Sequence, residues 1–486
     1  MLHAHTLFWQ EHPALLWGLS YLTGVGAALF GLSVWFLVLW FVYVVVCKQW
    51  KSILLSLLAF GCSWLLYGSL PQFNEPVPCK ARFSISNIQA HQSPFFRDLL
   101  YRGTLYLEGH SFPCTMSIKK ERPVASQDYF VEGVLHQRGP FDYTFKPKTW
   151  EPVPSSWSLA EFRYQTKQHL RSFLNAKLHR PRTASFLYSL VSGEVEDRQL
   201  RYEFGRLGLQ HILAISGFHF GLLMASFSAG LGLFLSRHWK WGLMLVCATA
   251  YFVFVGSSPA VQRAWIGACL FLASKLLGRP ASAVNLLGGA LLIELIIDPL
   301  VAVNLGFQLS FGSCFGILLF HRWFDQNLET LFPKRSFLVS ASLPPLSKFL
   351  FLLSSFLRKA LALTLAVNTA ILPLLLYHFG KFPALSLVYN LFYPLLVSFA
   401  LLGLVIACTG FFLFGPLSTP AFALLDWWTD QLLALVSYPP LVLDRYLYLN
   451  NLSPHVVLAY VFALLLAGIY VSNRDYTLAP QSPKLL

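Results

Sequence analysis

The chain has 486 residues, of which 56% are hydrophobic and only 12% charged, and a formal net charge of +14. Soluble domains carry about 25% charged residues, so the composition excludes a purely soluble enzyme or binding module and points to a polytopic α-helical membrane protein. The basic excess has two readings, the positive-inside bias of membrane proteins or a polyanionic partner such as nucleic acid or anionic headgroups, and charge alone does not separate them.

Met1 to His5 carry no basic n-region and no cleavage site ahead of the first apolar run, so a membrane helix rather than a signal peptide is expected there. Three apolar runs follow, about Ala14–Phe30, Leu32–Cys47 and Ser52–Leu70, near the roughly 20 residues that cross a bilayer. Lys48 and Lys51 make a basic turn expected on the cytoplasmic side. Three crossings then put Pro71 onward on the outer side.

From Pro76 to about Pro154 charge returns and the apolar runs become short and alternating. Strands are expected near Lys80–Ile88, Thr104–Glu108, Pro113–Lys119, Asp128–Leu135 and Phe141–Phe145, split by Gly, Pro and Ser turns. That pattern predicts a small all-β barrel. Cys79 and Cys114 lie at strand starts in this outer region, where an oxidising compartment favours a disulfide between them. Cys47, Cys62, Cys247, Cys269, Cys314 and Cys408 fall in spans and are expected as free thiols.

Ser158 and Glu161 form a capping-box helix start. Leu159, Phe162, Leu170 and Phe173 share a sector flanked by Arg163, Lys167 and Arg171, which predicts an interfacial helix lying on the membrane. A second helix, about Thr183–Val191, precedes Ser192, Gly193 and Glu194.

The stretch Phe204–Gly221 runs without pause into the apolar Leu222–Leu235, yet holds His211, Ser216, His219 and several glycines. Polar groups at bilayer depth are costly and face a bundle interior or a watery cavity. Ser216 and Gly217 are the expected break in this helix. Arg237–Lys240 is expected to be cytoplasmic, and Trp241–Val255 returns outward. Pro259 opens the next helix with Arg263 about one turn inside it; Arg263 either snorkels to the surface or faces a pore and meets phosphate. Ala281–Ile297 ends at Asp298 and Pro299. Leu300–Phe320 contains Gln308 and Ser310, which suit helix–helix hydrogen bonds, with Gly306 and Gly312 for close approach; pore lining is the other reading. His321–Lys359 reads as a basic cytoplasmic loop. Leu361–His378 carries Asn368 and Pro373, a long apolar run reaches Phe414, Ala421–Val436 is amphipathic, and His455–Val471 is the last span. The count is about eleven spans.

Gly208, His211, Leu213, Ala214, Ser216, Gly217, His219 and Gly221 together resemble the signature helix of the ComEC competence proteins, bacterial inner-membrane channels that admit single-stranded DNA. Pro259 with Arg263, the run from Gly306 to Phe311, Asn285, the Asp298–Pro299 turn, Asn368 with Pro373, and Asn390 with Pro394 continue the resemblance. The β region is similar to the OB-type domain of that family, with Gly139, Phe141, Asp142 and Tyr143 matching its closing pattern.

The resemblance implies N-terminal membrane helices over residues 1–70, an extracytoplasmic OB-like β domain over 71–157, interfacial amphipathic helices over 158–205 and a competence-type transmembrane channel over 206–486. It implies a multi-pass protein of the bacterial inner (cytoplasmic) membrane that moves single-stranded DNA during natural transformation, with no catalysis of its own. The implied channel residues are His211, Ser216, Gly217, His219, Pro259, Arg263, Gln308, Ser310 and Asn368. OB barrels bind single strands by stacking bases on aromatics beside cations, which selects Arg82, Phe83, Arg102, Tyr106, Lys119 and Lys120. The implied partners are single-stranded DNA, membrane lipid, a DNA receptor and nuclease on the outer side, and a cytoplasmic motor or strand-binding protein, with oligomeric state open.

Many family members carry the zinc motif His-x-His-x-Asp-His in a C-terminal metallo-β-lactamase-type domain. Here His3 and His5 form a lone His-x-His, so no metal site and no cofactor are expected. Two other classes stand beside the channel: a small-solute or lipid permease, since broken helices are common in transporters, and an intramembrane hydrolase using Ser216 with His211 or His219, for which no oxyanion hole is identified.

Overall fold

The computed structural model describes residues 2–31, 34–68, 73, 75–92, 97–118, 125–139, 141–153, 158–215, 217–233, 235–334, 344–440, 445–449 and 451–478. In chain order the helices are α1 (Leu2–Glu11), α2 (Pro13–Phe30), α3 (Val34–Val46) and α4 (Lys51–Ser63), the last running into a π turn at Trp64–Gly68. Strands β1 (Val77–Gln92), β2 (Arg97–Leu107), β3 (His110–Ile118), β4 (Asp128–Gly139) and β5 (Asp142–Pro152) follow. Next come α5 (Leu159–Lys177), α6 (Pro181–Ser192), α7 (Arg198–Arg206), α8 (Gln210–Leu213), α9 (Gly217–Leu231), α10 (Arg237–Val255), α11 (Pro259–Leu276), α12 (Ala283–Ile297), α13 (Leu305–Asn327) and α14 (Pro345–Phe379). The short β6 (Lys381–Pro383), α15 (Leu385–Phe414), α16 (Thr419–Ser437), β7 (Tyr446–Tyr448) and α17 (Pro454–Leu478) complete the described chain.

Among the described residues, five stretches are long and apolar enough to cross a membrane by length and composition, namely Gln210–Leu231, Arg237–Val255, Pro345–Phe379, Leu385–Ser437 and Pro454–Ser472. Shorter apolar helices lie at Pro13–Leu29, Trp35–Val46, Lys51–Tyr67 and Ala283–Ile297.

The chain divides into two units. The first comprises Met1–Gly68, Ile266–Leu395 and Pro440–Leu486. Its helices meet where side chains are missing. A Cβ on Gly288 of α12 would lie 2.2 Å from the Leu15 backbone of α2, and one on Gly24 of α2 would lie 2.0 Å from the Ser56 carbonyl of α4. Glycine at both points lets backbones touch, the usual way apolar helices gain contact inside lipid. Asn285 fastens the same crossing, donating to the Glu11 carbonyl at 2.9 Å and accepting from the Ala14 amide at 3.2 Å.

Two expectations in this unit need correction. Close approach of α13 to α14 occurs at Gly316, where a Cβ would lie 2.5 Å from the Ala366 carbonyl; Gly306 instead sits at the helix start, its amide capped by Asn304 at 2.8 Å, and Gly312 makes only ordinary contacts. The expected loop His321–Lys359 is largely helical: α13 continues to Asn327 and α14, with 35 residues, begins at Pro345. A salt-bridged turn explains this. Arg358 donates to Asp325 at 2.8 Å and to the Phe332 carbonyl at 2.7 Å, while Lys334 pairs with Asp325 and Glu329.

The second unit comprises Ser69–Trp265 and Leu396–Pro439. Its five strands close into a barrel in the order β1-β2-β3-β5-β4, antiparallel except for the short parallel pairing of β3 with β5. Period-two alternation turns Ala81, Phe83, Ile85, Tyr101, Leu105, Phe112, Met116, Tyr129, Val131 and Phe145 into one core. The closed five-strand order is consistent with an OB-like barrel. Helix α5 packs against β1 of the barrel. Ser158 caps α5 by accepting from the Glu161 amide at 3.4 Å.

Candidate functional site

The outer wall of the barrel carries the first candidate. Because Ala81 and Phe83 face inward, Arg82 faces out; Tyr129 and Val131 do the same for Phe130, and Leu105 for Tyr106. Register places Arg82 opposite Tyr106 on β2 and opposite Phe130 on β4. Tyr106 is 50% exposed and Phe130 59% exposed. Directly opposed residues have Cβ atoms about 5 Å apart, so an aromatic, a guanidinium and a second aromatic form one row across three strands. Arg82 donates to Asp128 at 2.5 Å, and Arg82, Ser84, Tyr106 and Asp128 line a cleft of about 390 Å³. Partial burial alone would raise the Asp128 carboxyl, but hydrogen bonds from Arg82 and Ser84 and the Arg82 charge hold it below its ordinary value.

The sequence-selected residues divide on this wall. Arg82 and Tyr106 belong to the row, and Arg102 is exposed on β2 opposite Thr115. Phe83 is corrected: at 0% exposure it packs the barrel core and presents no face to a base. Lys119 and Lys120 lie outside the described residues. Phe130 was missed, although strict alternation from Tyr129 to Val131 would have found it. Cys79 and Cys114 stand as free thiols rather than as the expected disulfide. Their strands are separated by β2 in the barrel order, so both pack against the core from non-adjacent positions. Burial, the largest cause, pushes the Cys114 thiol up to about 12.

The second candidate is the interrupted helix. At the end of α7 the Leu209 amide turns back to the Phe204 carbonyl at 2.7 Å, and Gly208 takes φ +69°. One turn of helix, α8, carries His211 and then stops as Ala214 becomes extended. Helix resumes at Gly217 as α9. The expected break is therefore present between Leu213 and Gly217, though Ser216 itself lies outside the described residues. His211 is exposed, whereas His219 is buried beside the Phe218 ring. Arg263, one turn into α11 from Pro259, lays its guanidinium against the start of α9: a Cβ on Gly217 would lie 2.8 Å from its Nη2. Ile215, in the break, packs with Val255 and Val261 from the neighbouring ends of α10 and α11.

Behind the break, α5 presents its charges inward. Lys167, 1% exposed, donates to Glu194 and to the Val255 carbonyl, both at 2.8 Å, and Tyr188 also meets Glu194 at 3.2 Å. Arg171 pairs with Glu196 at 2.8 Å. Burial lowers the Lys167 ammonium from its ordinary value, and Glu194 raises it again in part. The cations read from sequence as the flank of an interfacial helix are thus the buried side of α5, and Phe162 is exposed. Asp426 of α16, read as one polar face of an amphipathic helix, is buried and bound by Arg180 and Thr183 from the start of α6.

The remaining channel candidates sit in the first unit. Gln308 donates to the Ala302 carbonyl at 2.9 Å and meets His378 of α14 at 3.3 Å. Asn368 donates within its own helix to the Thr364 carbonyl at 2.8 Å. Ser310 is on α13 with Gln308. Among the described residues no group of His, Cys, Asp or Glu is arranged to hold a metal ion.

The Competence protein family model matches residues 190–474, which covers α7 to α17 and leaves out the barrel. ComE operon protein 3 of Bacillus subtilis (strain 168) is 29% identical over 292 residues, 57% of this chain and 33% of that protein. The chain thus matches about a third of the length of this relative. No solved structure matches. With more than half of its length inside the family match, the broken helix and its Arg263 included, the chain belongs to the competence protein family.

Proposed function

We propose that this protein is a DNA-uptake channel that moves single-stranded DNA across the inner, cytoplasmic membrane during natural transformation. The observation that carries the reading is the Tyr106–Arg82–Phe130 row, two exposed aromatics flanking a guanidinium on a small barrel. Bases stack on aromatics whatever their sequence, at about 1–3 kcal/mol per base, and a guanidinium serves the phosphates. In the same unit, Arg263 at the start of α9 offers a second cation where a helix N-terminus already favours negative charge. Family membership supports a competence role.

On this reading α2–α4, α9–α15 and α17 are the about eleven spans, the barrel is extracytoplasmic, and a receptor and nuclease deliver one strand to it. A cytoplasmic motor or strand-binding protein pulls. On this reading the chain is not itself an enzyme; the Asp325 and Glu329 carboxylates, four residues apart, are each engaged by Lys334, and Asp325 by Arg358 as well.

The test is direct. Purified protein should bind a labelled oligothymidylate and leave it intact with or without divalent metal. Tyr106→Ala and Phe130→Ala should each weaken binding by about 1–3 kcal/mol. Arg263→Ala should lower transformation more than protein level and weaken oligonucleotide binding less than Tyr106→Ala does. Wild-type binding to duplex alone, or metal-dependent release of nucleotides lost on changing Asp325 and Glu329, would overturn the reading.

A further inference from the structure

We propose that Arg163 is a positioning residue that ties strand β1 of the barrel to the end of α10 and so sets where Arg263 stands at the break. The consequence for DNA rests on the function proposed above; the linkage itself does not.

The linkage begins at an irregularity in β1. Its register with β2 passes from Ile85–Gly103 to Asn87–Arg102, skipping Ser86. A bulge leaves its extra residue outside the ladder. The Ser86 hydroxyl fixes the bulge by donating to the Arg102 carbonyl at 2.9 Å, and the Ser86 carbonyl accepts from Arg163 Nη1 at 3.0 Å. The same guanidinium reaches the other way. Its Nε donates to the Val253 carbonyl at 2.7 Å, in the last turn of α10. Carbonyls at a helix C-terminus have no partner within the helix, and cations there are favoured by its dipole. Lys167, one turn further along α5, takes the Val255 carbonyl in the same manner.

Gly256 completes the seat. It has φ +93°, and a Cβ there would lie 3.3 Å from Arg163 Nη1 and 3.4 Å from its Cδ. The missing side chain lets the guanidinium lie on the backbone. From Gly256 the chain turns into α11, whose Arg263 rests on Gly217. One buried side chain therefore bonds the barrel at one end and the α10–α11 corner at the other.

Only arginine suits this place. Its planar fork directs Nε and Nη1 to two acceptors on different elements at once, whereas lysine is a single point charge on a flexible stem. Arg163→Lys keeps the charge and most of the apolar stem but replaces two separate donor atoms, Nε toward Val253 and Nη1 toward Ser86, by a single nitrogen.

The experiment is hydrogen exchange on the full-length protein in detergent, without DNA and then with oligothymidylate. Without DNA, Arg163→Lys should speed amide exchange about tenfold both at residues 84–88 and at residues 253–263, while β3 and α17 stay unchanged. Gly256→Ala, which crowds the guanidinium from the other side, should loosen the same two segments. Faster exchange at only one segment, or at neither, overturns the linkage. With oligothymidylate, the wild type should gain protection at residues 253–263 and the Arg163→Lys protein should bind equally well yet gain none. Equal protection in both proteins overturns the positioning role. Failure of the wild type to bind oligothymidylate, with both segments still loosened together, overturns the DNA reading and leaves the linkage supported.

Discussion

At the scale of single residues, the barrel wall is a competition between a carboxylate and a phosphate for one guanidinium. Arg82 is exposed and held by Asp128, so an incoming strand must displace that carboxylate or share its partner. Asp128→Asn removes the competing charge while keeping the shape of the cleft. Binding of oligothymidylate at fixed salt should strengthen several-fold, measured by fluorescence anisotropy, because attraction to the phosphate backbone dominates such affinities. Weaker or unchanged binding would mean that Asp128 orients Arg82 rather than competing for it. The pair also has a pH signature. The Asp128 carboxyl lies below its ordinary value in the folded protein. A depressed carboxylate contributes stability above its unfolded value of about 4 and loses it as the pH falls through the lower folded value. Below about pH 4 the wild-type barrel should therefore lose stability that Asp128→Asn never had, visible as convergence of their thermal midpoints.

At the scale of elements, the hydrophobic period fixed more than the direction in which each face points. The five strands follow from alternation and turn residues, and each of β1–β5 overlaps the stretch where those signals put it, although β2 begins at Arg97 rather than near Thr104. The break near Gly217 was legible because an apolar run carried His211, His219 and glycines. For α5, Arg163, Lys167 and Arg171 were visible as one side of a helix, but their acceptors were not. Those acceptors are the Glu194 and Glu196 carboxylates and the backbone carbonyls of Ser86, Val253 and Val255, all distant in sequence. A charged face that is satisfied by remote carbonyls has the same local spelling as one facing water. The pairing predicts non-additive mutants. Lys167→Met or Glu194→Gln alone leaves one buried group without its partner, at a cost of about 3–5 kcal/mol, whereas replacing both removes the uncompensated charge. The double variant should melt above at least one of the singles, read from thermal unfolding in detergent. Additive losses would mean the two side chains act independently.

At the scale of the whole molecule, charge decides sidedness where helix length does not. α3 has 13 residues and α4 has 13 before its π turn. At 1.5 Å per residue each α-helical part covers about 20 Å, short of the roughly 30 Å hydrocarbon core. Length alone thus leaves open whether α2, α3 and α4 make three crossings or fewer, and the side of the barrel hangs on that count. The basic connections supply the missing constraint. Lys48 lies between α3 and α4 and Lys51 opens α4, Arg237 and Lys240 open α10, Lys275 closes α11 with Arg279 just after it, and Lys334 follows α13. If each of α4, α9, α10, α11, α12 and α13 crosses once, all four connections fall on one side and the barrel on the other. Lysine and arginine accumulate on the cytoplasmic side, so the N-terminus and residues 322–359 should be inside and residues 76–200 outside. Paired alkaline phosphatase and green fluorescent protein fusions at Gln127 and Lys334 test this. Phosphatase should be active only at Gln127 and fluorescence should appear only at Lys334. The same signal at both sites would require an odd number of the crossings α9–α13 to be lost, and fluorescence without phosphatase at both would put the Tyr106–Arg82–Phe130 row on the side where a strand leaves rather than where it enters.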